Sequence, residues 1–203
     1  MSECVFPDLY ENMKVCIGEK SLPGVRAHVY IIPKADIAAW PELPALDDDD
    51  VELEDVATYD GDFTLAASKF WKKIELRENV NGIVSEAQGE DGSKSFKDTA
   101  TLIYPGTTAQ AAGFCRQIVN DDVVIAVPQR DGKIRILGNE QFRTQVNPSM
   151  DTGKASTDAS QTQIEASVDT ICPAPFYPGK LMLSSTTYID GATDKEQAVS
   201  PGG

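Results

Sequence analysis

The sequence predicts a mainly β protein, an antiparallel β-sandwich or barrel with one flanking α-helix and long loops. Three observations support this fold class. Several runs alternate apolar and polar residues, which is the pattern of half-buried strands. Asn-Gly and Asp-Gly pairs separate some of these runs and supply the positive φ angles of tight hairpins. One run has the periodicity and the capping residues of a helix.

The alternating pattern is clearest in two runs near the ends of the predicted domain. In TQIEASVD, residues 162–169, every second side chain is apolar. In VRAHVYII, residues 25–32, apolar side chains alternate with Arg26, His28 and Tyr30. Because successive side chains leave a strand on opposite faces, both runs predict strands with one buried and one solvated face.

A meander is predicted in the middle of the chain. The runs KFWKKIELR, GIVSEAQGE and SKSFKDTATLIY are separated by ENVNG and DGS. The simplest interpretation is three consecutive antiparallel strands. Further on, DVVIAVPQ and KIRILG flank RDG, which predicts another hairpin, and the unbroken apolar run 123–127 indicates a strand covered on both faces.

The helix is predicted near residues 107–119. Thr107 and Gln110 have capping-box spacing, and Ala111, Cys115, Ile118 and Val119 form an apolar stripe. We therefore expect the helix to lie with this stripe against a sheet.

The remaining segments complete the predicted domain organisation. Residues 1–24 are expected to be an N-terminal arm, 25–190 a single β-sandwich domain, and 191–203 a flexible C-terminal tail. Long loops are predicted near 41–67 and 140–161, because both segments lack clear alternation and the second is rich in Ser, Thr and Gly.

The net charge of −14, from 18 basic and 32 acidic side chains, argues against a protein that reads nucleic-acid sequence. The acidity is local, because residues 41–62 carry ten acids and no Lys or Arg. The predicted acidic surface consists of Asp47, Asp48, Asp49, Asp50, Glu52, Glu54 and Asp55. It could bind calcium weakly, although the spacing of an EF-hand is missing, or it could be a solvated loop that resists aggregation.

Catalytic and cofactor motifs are not convincing. MDTGKAS, residues 150–156, is similar to a phosphate loop, but Pro148 and Ala155 occupy positions where that loop requires Gly and a hydroxyl residue. His28 is predicted to be an exposed strand histidine, and no Gly-x-Ser-x-Gly motif accompanies it. The sequence therefore predicts no enzyme, no cofactor and no metal.

The cysteine spacing and the hydropathy of the sequence indicate which cellular compartment to expect. Cys4, Cys16, Cys115 and Cys172 form no CxxC pair, so a reducing compartment is expected, with a Cys4–Cys16 disulfide left open. No secretory signal or membrane-spanning run is predicted.

The order of the elements resembles a known family. The run GVRAHVYIIPKADIAAWP, the predicted meander, the helix, the hairpin VVIAVPQRDGKIRILGN and the run TGKASTDASQTQIEASVD together resemble bacteriophage tail tube (major tail) proteins over about residues 24–172. The resemblance implies a structural virion protein, assembled in the host cytoplasm, whose homohexameric rings stack into a tube. Its partners would be itself and other tail proteins, while genomic DNA passes without specific binding. No membrane contact and no catalytic residue are implied.

This resemblance suggests a role for the acidic surface. A conduit for DNA should be negative inside, because a basic lining would hold the phosphates. Part of the acidic surface could face the lumen, or it could lie on the outer wall, and both placements stay open. A β-sandwich binding or decoration module and a head-to-tail connector ring remain alternatives, with an enzyme third.

Overall fold

The computed structural model describes residues 9–10, 12–13, 22–48 and 50–199. It is 43% strand and 9% helical, which confirms the predicted mainly β sandwich. Within the described ranges there is one α-helix, α1, Ala109–Ile118. The strands are β1 His28–Pro33, β2 Ile37–Ala39, β3 Thr64–Leu65, β4 Lys72–Glu75, β5 Gly82–Gln88, β6 Ser95–Pro105, β7 Val123–Pro128, β8 Ile134–Leu137, β9 Gln145–Asp151, β10 Gln161–Thr170, β11 Phe176–Tyr177, β12 Lys180–Met182, β13 Thr187–Asp190 and β14 Lys195–Ala198.

The first sheet has four antiparallel strands in the order β5, β6, β10, β9. Strand β10 pairs with β6 along its whole length and with β9 over seven residues. The alternation predicted for β10 is confirmed, because Ile164, Ala166 and Val168 are buried while Glu165 and Asp169 are exposed.

The second sheet has five strands in the order β11, β8, β7, β1, β4, and each pair is antiparallel. The predicted β7–β8 hairpin is confirmed, and Gly132 supplies the positive φ of 101° in its turn. Every residue of β7 is buried, so this strand is covered on both faces as predicted.

The five-stranded sheet is the middle layer of the molecule. Between it and the four-stranded sheet lies a first core, which includes Val29, Ile31 and Ile164. Its opposite face carries a second core, in which Phe63 contacts Tyr177 with ring centroids 5.0 Å apart. Members of this second core come from β1, β7 and β8, from the segment around Tyr59–Trp71, and from the small sheet β12–β13–β14.

This outer layer corrects the prediction for β1. The face carrying Tyr30 was expected to be solvated, yet Tyr30 is only 1% exposed. The prediction is wrong because the alternation of polar and apolar residues does not show that a further layer covers the strand.

The predicted three-stranded meander is correct only for β5 and β6. Strand β4 pairs with β1 in the other sheet. The chain changes sheets between two adjacent residues: the Leu76 N–H donates to the Ala27 carbonyl and the Arg77 N–H to the Ile103 carbonyl. The Asn81 side chain binds across this corner instead of forming a hairpin turn, since its Oδ1 accepts the Ile103 N–H.

The predicted helix is confirmed with a small shift at its start, but Val119, predicted on the apolar stripe, is its C-cap and is 45% exposed. The residue that caps α1 is Thr108, whose Oγ1 accepts the Ala111 N–H at 3.1 Å. Thr107 instead lies within hydrogen-bonding distance of Ser160. Ile118 packs into the first core together with Phe114. The Phe114 side chain covers the apolar side of the sandwich next to β4.

Two predicted irregular segments contain strands. Within 140–161, β9 pairs with β10, so only 152–160 forms the connecting loop of a hairpin. Within 191–203, β14 pairs with β13, and Asp194 in the turn between them is buried. Both strands expose most of their side chains, which removes the alternation that would predict them. The segment 41–67 is largely irregular, with a short 3-10 helix at Asp55–Ala57 and the strand β3.

Candidate assembly surface

The outward side of the four-stranded sheet is a regular surface of four paired strands. On each of the four strands, every second side chain points away from the first core, and we call the surface that these side chains form the polar sheet face. Its members are Gly82, Val84, Glu86 and Gln88 on β5, Ser95, Lys97, Thr99, Thr101 and Ile103 on β6, Gln161, Gln163, Glu165, Ser167 and Asp169 on β10, and Gln145, Asn147, Ser149 and Asp151 on β9.

The polar sheet face is weakly acidic. Its described residues include four carboxylates against the single base Lys97, and neither Arg nor an aromatic side chain. Lys97 lies directly opposite Glu86 across the β5–β6 pair, so its charge is locally offset. The Asp169 carboxylate accepts a hydrogen bond from Gln88 at 2.7 Å. Such a face has little to hold phosphates and no rings on which bases could stack.

Within the described part of the chain, both edges of this sheet are open. Strands β5 and β9 are each seven residues long, and no other strand of the described part of the chain lies beyond either one. Strand β9 contains Pro148, and proline is tolerated at a sheet edge because its missing N–H points away from the ladder. Open edges are templates for pairing with another chain unless they are covered.

The predicted acidic residues lie together on a surface loop, but not on the polar sheet face. Asp47, Asp48, Asp50, Glu52, Glu54 and Asp55 are all exposed, and Asp49 lies outside the described residues. Two of them stabilise turns of their own loop. Asp48 Oδ2 accepts the Ala45 N–H at 2.7 Å, and Asp55 Oδ2 accepts the Glu52 N–H at 3.0 Å.

Backbone contacts attach this acidic loop to the outer layer. The Glu42 and Asp60 backbones form a bridge, and Thr58 pairs with Phe176 of β11. The residues that follow, Tyr59 and Phe63, pack into the second core, on the side of the five-stranded sheet that faces away from the four-stranded sheet. Within the described ranges, no group of three or more His, Cys, Asp or Glu side chains is placed to hold a metal ion.

A buried ionic cluster surrounds Asp194, a residue that no sequence motif marks. Its fully buried carboxylate accepts hydrogen bonds from Arg26 Nη1 at 2.7 Å, His28 Nε2 at 2.9 Å and the Tyr30 hydroxyl at 2.9 Å. Burial raises the pKa of Asp194, but the His28, Tyr30 and Arg26 contacts outweigh it and hold the pKa below its usual range.

This cluster corrects the prediction for His28. Its side chain is 18% exposed and bound to Asp194, so it is not a solvated strand histidine. The error arises because the partner carboxylate comes from a distant part of the chain. The Asp194 carboxylate accepts hydrogen bonds from His28 and Tyr30 of β1 and from Arg26 just before it, so it connects β1 to the β13–β14 hairpin.

The segment similar to a phosphate loop is occupied by its own carboxylate. Asp158 Oδ2 accepts the N–H groups of Lys154 and Ala155, both at 2.9 Å. These two bonds hold the pKa of Asp158 below its usual range. Two backbone N–H groups of this segment are therefore already bound within the segment itself.

Asp98 and Arg135 form a second buried polar site near Cys172. Asp98 Oδ2 accepts the Ala174 N–H at 2.9 Å, and the Arg135 guanidinium donates to the Ala174 carbonyl and stacks 4.3 Å from the Phe176 ring centre. Burial raises the pKa of the Cys172 thiol to about 11, so this thiol is unreactive at neutral pH. Cys115 is also free, while Cys4 and Cys16 lie outside the described residues.

Comparisons with known proteins give no indication of function for this chain, so its function is inferred from its fold and surface. Neither a family model, nor a curated protein, nor a solved structure gives a significant match to this chain. No helix in the described part of the chain is long and apolar enough to cross a bilayer.

Proposed function

We propose that this chain is a tail tube subunit of a bacteriophage, and that its homohexameric rings stack around a lumen that conducts the genome. The observation that carries the proposal is the polar sheet face, a four-stranded antiparallel surface with open edges on both sides. The resemblance of the element order to tail tube proteins supports the same function. The protein would act in the virion and would have no catalytic role.

The open edges provide a route to a ring. If β5 of one copy pairs with β9 of the next, each contact joins two different surfaces, and such head-to-tail contacts close into rings when the rotation permits. The closed ring is a barrel of four-stranded sheets without a free edge. Its first core would lie behind the wall, and the polar sheet face would line the lumen.

The chemistry of that lining suits a moving polyanion. A weakly acidic wall of Gln, Ser, Thr and Asn side chains is wetted by water and repels phosphates slightly, so DNA would not be retained. In this arrangement the acidic loop lies on the outer wall, since it is attached to the layer on the far side of the five-stranded sheet. This is the second of the two placements that the sequence leaves open.

Negative-stain electron microscopy of the purified full chain over a concentration series tests the proposal. Hollow rings that stack into long tubes are the expected result. Isolated rings that never stack would favour a connector ring instead. A protein that stays monomeric at every concentration, even with pre-formed tail tips added as nuclei, would favour a binding or decoration module.

A further inference from the structure

We infer that neighbouring copies of this chain pair β9 with β5 antiparallel and in one register, in which Pro148 lies opposite Ser85 of the next copy. The inference rests on the proposed tube function and specifies how its ring closes. It follows from strand number, strand length, hydrogen-bonding direction and side-chain face, each of which the structure defines.

The number of strands determines the direction of pairing. The four strands of the sheet alternate in direction, so β5 and β9 of one copy run in opposite directions. A rotation about the ring axis keeps each strand's direction along that axis. Every junction between copies therefore joins antiparallel strands, as do the pairs inside the sheet.

Contacts at the end of β6 show which backbone groups point toward the open edges. The Ile103 N–H donates to Asn81 Oδ1, and the Ile103 carbonyl accepts the Arg77 N–H, so the odd-numbered residues of β6 face β5. The Gly106 N–H donates to the Ser160 carbonyl, so the even-numbered residues face β10. The same alternation continues across the paired strands of the sheet. The backbone groups that face outward are therefore those of Ile83, Ser85 and Ala87 on β5. On β9 they are those of Val146, Pro148 and Met150.

These groups match in one register that uses both strands completely. With Pro148 opposite Ser85, all seven residues of β9 face all seven of β5. A slip by one residue would put polar side chains into the core and turn the hydrogen-bonding groups away. Pro148 has no N–H to donate, so the junction has about five backbone hydrogen bonds. On the polar sheet face, the register places Gln145 opposite Gln88, Asn147 opposite Glu86, Ser149 opposite Val84 and Asp151 opposite Gly82 of the next copy.

The same register gives the strand tilt that a closed barrel needs. Straight across the sheet, Asn147 is level with Glu165, Thr101 and Gly82 of its own copy. The junction instead places Gly82 against Asp151, a shift of four residues for every four strands. With a rise of about 3.4 Å per residue and a strand spacing of about 4.8 Å, this shift corresponds to a tilt of about 35°. Closed barrels have tilts of about 35–45°.

The tilt also sets the width of the tube. For a homohexamer, it gives a backbone radius of about 22 Å. After side chains are allowed for, the lumen is roughly 35 Å across, which admits one DNA duplex. A register two residues away would leave unpaired ends on both strands and change the tilt.

Cysteine cross-linking of the full chain tests the register. The matched variant is Ser149→Cys with Val84→Cys, and the mismatched variant is Ser149→Cys with Glu86→Cys. Directly opposite residues have Cα atoms about 4.5–5.5 Å apart, within reach of a disulfide, whereas a two-residue offset adds about 6.8 Å along the strand. Within one copy these positions are separated by two intervening strands, so a bond can form only between copies. The wild-type chain and the single-cysteine variants report any background from the native thiols.

After mild oxidation, the matched variant should lose its monomer band to a covalent ladder that ends at the hexamer, while the mismatched variant should keep its monomer band. Electron microscopy of the same samples shows whether rings form, so the tube function is tested separately from the register. Rings that form while only the mismatched variant cross-links would overturn the register and leave the tube function intact. Absence of both rings and cross-links would overturn the two together.

Discussion

The carboxylate of Asp194 accepts a hydrogen bond of 2.9 Å from the hydroxyl of Tyr30, although the two residues are 164 positions apart. Its other oxygen accepts from Arg26 and His28, so one side chain of the β13–β14 turn binds three residues of, or next to, β1. The turn itself places Asp194 at a positive φ of 53°. This carboxylate therefore fixes the last described hairpin to the central sheet.

Replacing Asp194 by Asn should destabilise the protein by about 3 kcal/mol, because Arg26 would lose its buried counter-charge and the His28 and Tyr30 donors would lose a charged acceptor. Urea unfolding followed by far-UV circular dichroism measures the change. Glu196→Gln is the matched control, since Glu196 is exposed on the same hairpin and should change stability by less than about 0.5 kcal/mol. Equal stabilities of the Asp194→Asn variant and the wild type would show that the cluster contributes little.

The same carboxylate should make stability depend on pH in acid. The pKa of Asp194 is lowered in the folded state, so its contribution is complete above the unfolded value of about 3.9 and is lost as the pH falls through the folded value. Burial raises the pKa of Asp98, which gives a slope of opposite sign, so the informative quantity is the difference between variants. The stability difference between wild type and Asp194→Asn should shrink below about pH 4 in urea titrations. A difference that is constant from pH 7 to pH 2.5 would contradict the assignment.

A strand with a complete apolar face is predicted correctly from its sequence. Strand β10 presents Ile164, Ala166 and Val168 to the first core, and this alternation is visible in its sequence. Strand β9 pairs with β10 but buries only Val146 fully, and it contains Pro148. An edge strand of this kind has no local pattern, because its structure comes from the long-range ladder that holds it.

The candidate assembly surface shows the same limit. The acidic loop is evident from composition alone, but composition does not indicate on which layer a loop lies. The polar sheet face consists of ordinary Gln, Ser and Thr side chains, so no motif marks it. It emerges only when the registers of β5, β6, β10 and β9 are known. Asp194 is likewise unremarkable until the β13–β14 hairpin brings it to His28.

In the proposed tube, neutralising the acidic loop should leave assembly and the lumen unchanged. Asp47→Asn with Asp50→Asn removes two exposed charges and leaves the turn-stabilising Asp48 and Asp55 carboxylates in place. Because the loop is attached to the outer layer, the tubes should keep their diameter in electron micrographs and should not retain DNA in sedimentation assays. DNA held inside tubes of this variant, and not inside those of the wild type, would place the loop in the lumen.

Adding positive charge to the polar sheet face should have the opposite effect. The variant Gln163→Lys with Glu165→Lys changes two neighbouring positions on β10 whose side chains lie on that face, and the change is repeated in every copy of a ring. Its tubes should retain duplex DNA at about 50 mM salt and release most of it at about 200 mM, because phosphate binding by Lys depends steeply on salt. Co-sedimentation with labelled DNA measures retention, and nuclease protection shows whether the DNA is inside.

The matched control places the same change in charge on the outer layer, as Asp47→Lys with Asp50→Asn. DNA bound to those tubes should be digested by nuclease, since it lies on the outside. If the β10 variant binds DNA that nuclease removes equally fast, the polar sheet face lines no lumen. If neither variant forms tubes while the wild type does, the variant Gln163→Asn with Glu165→Gln, which adds no positive charge, tests the face itself. This variant should form tubes of normal width. Loss of its tubes would mean that these side chains act in assembly rather than in conduction.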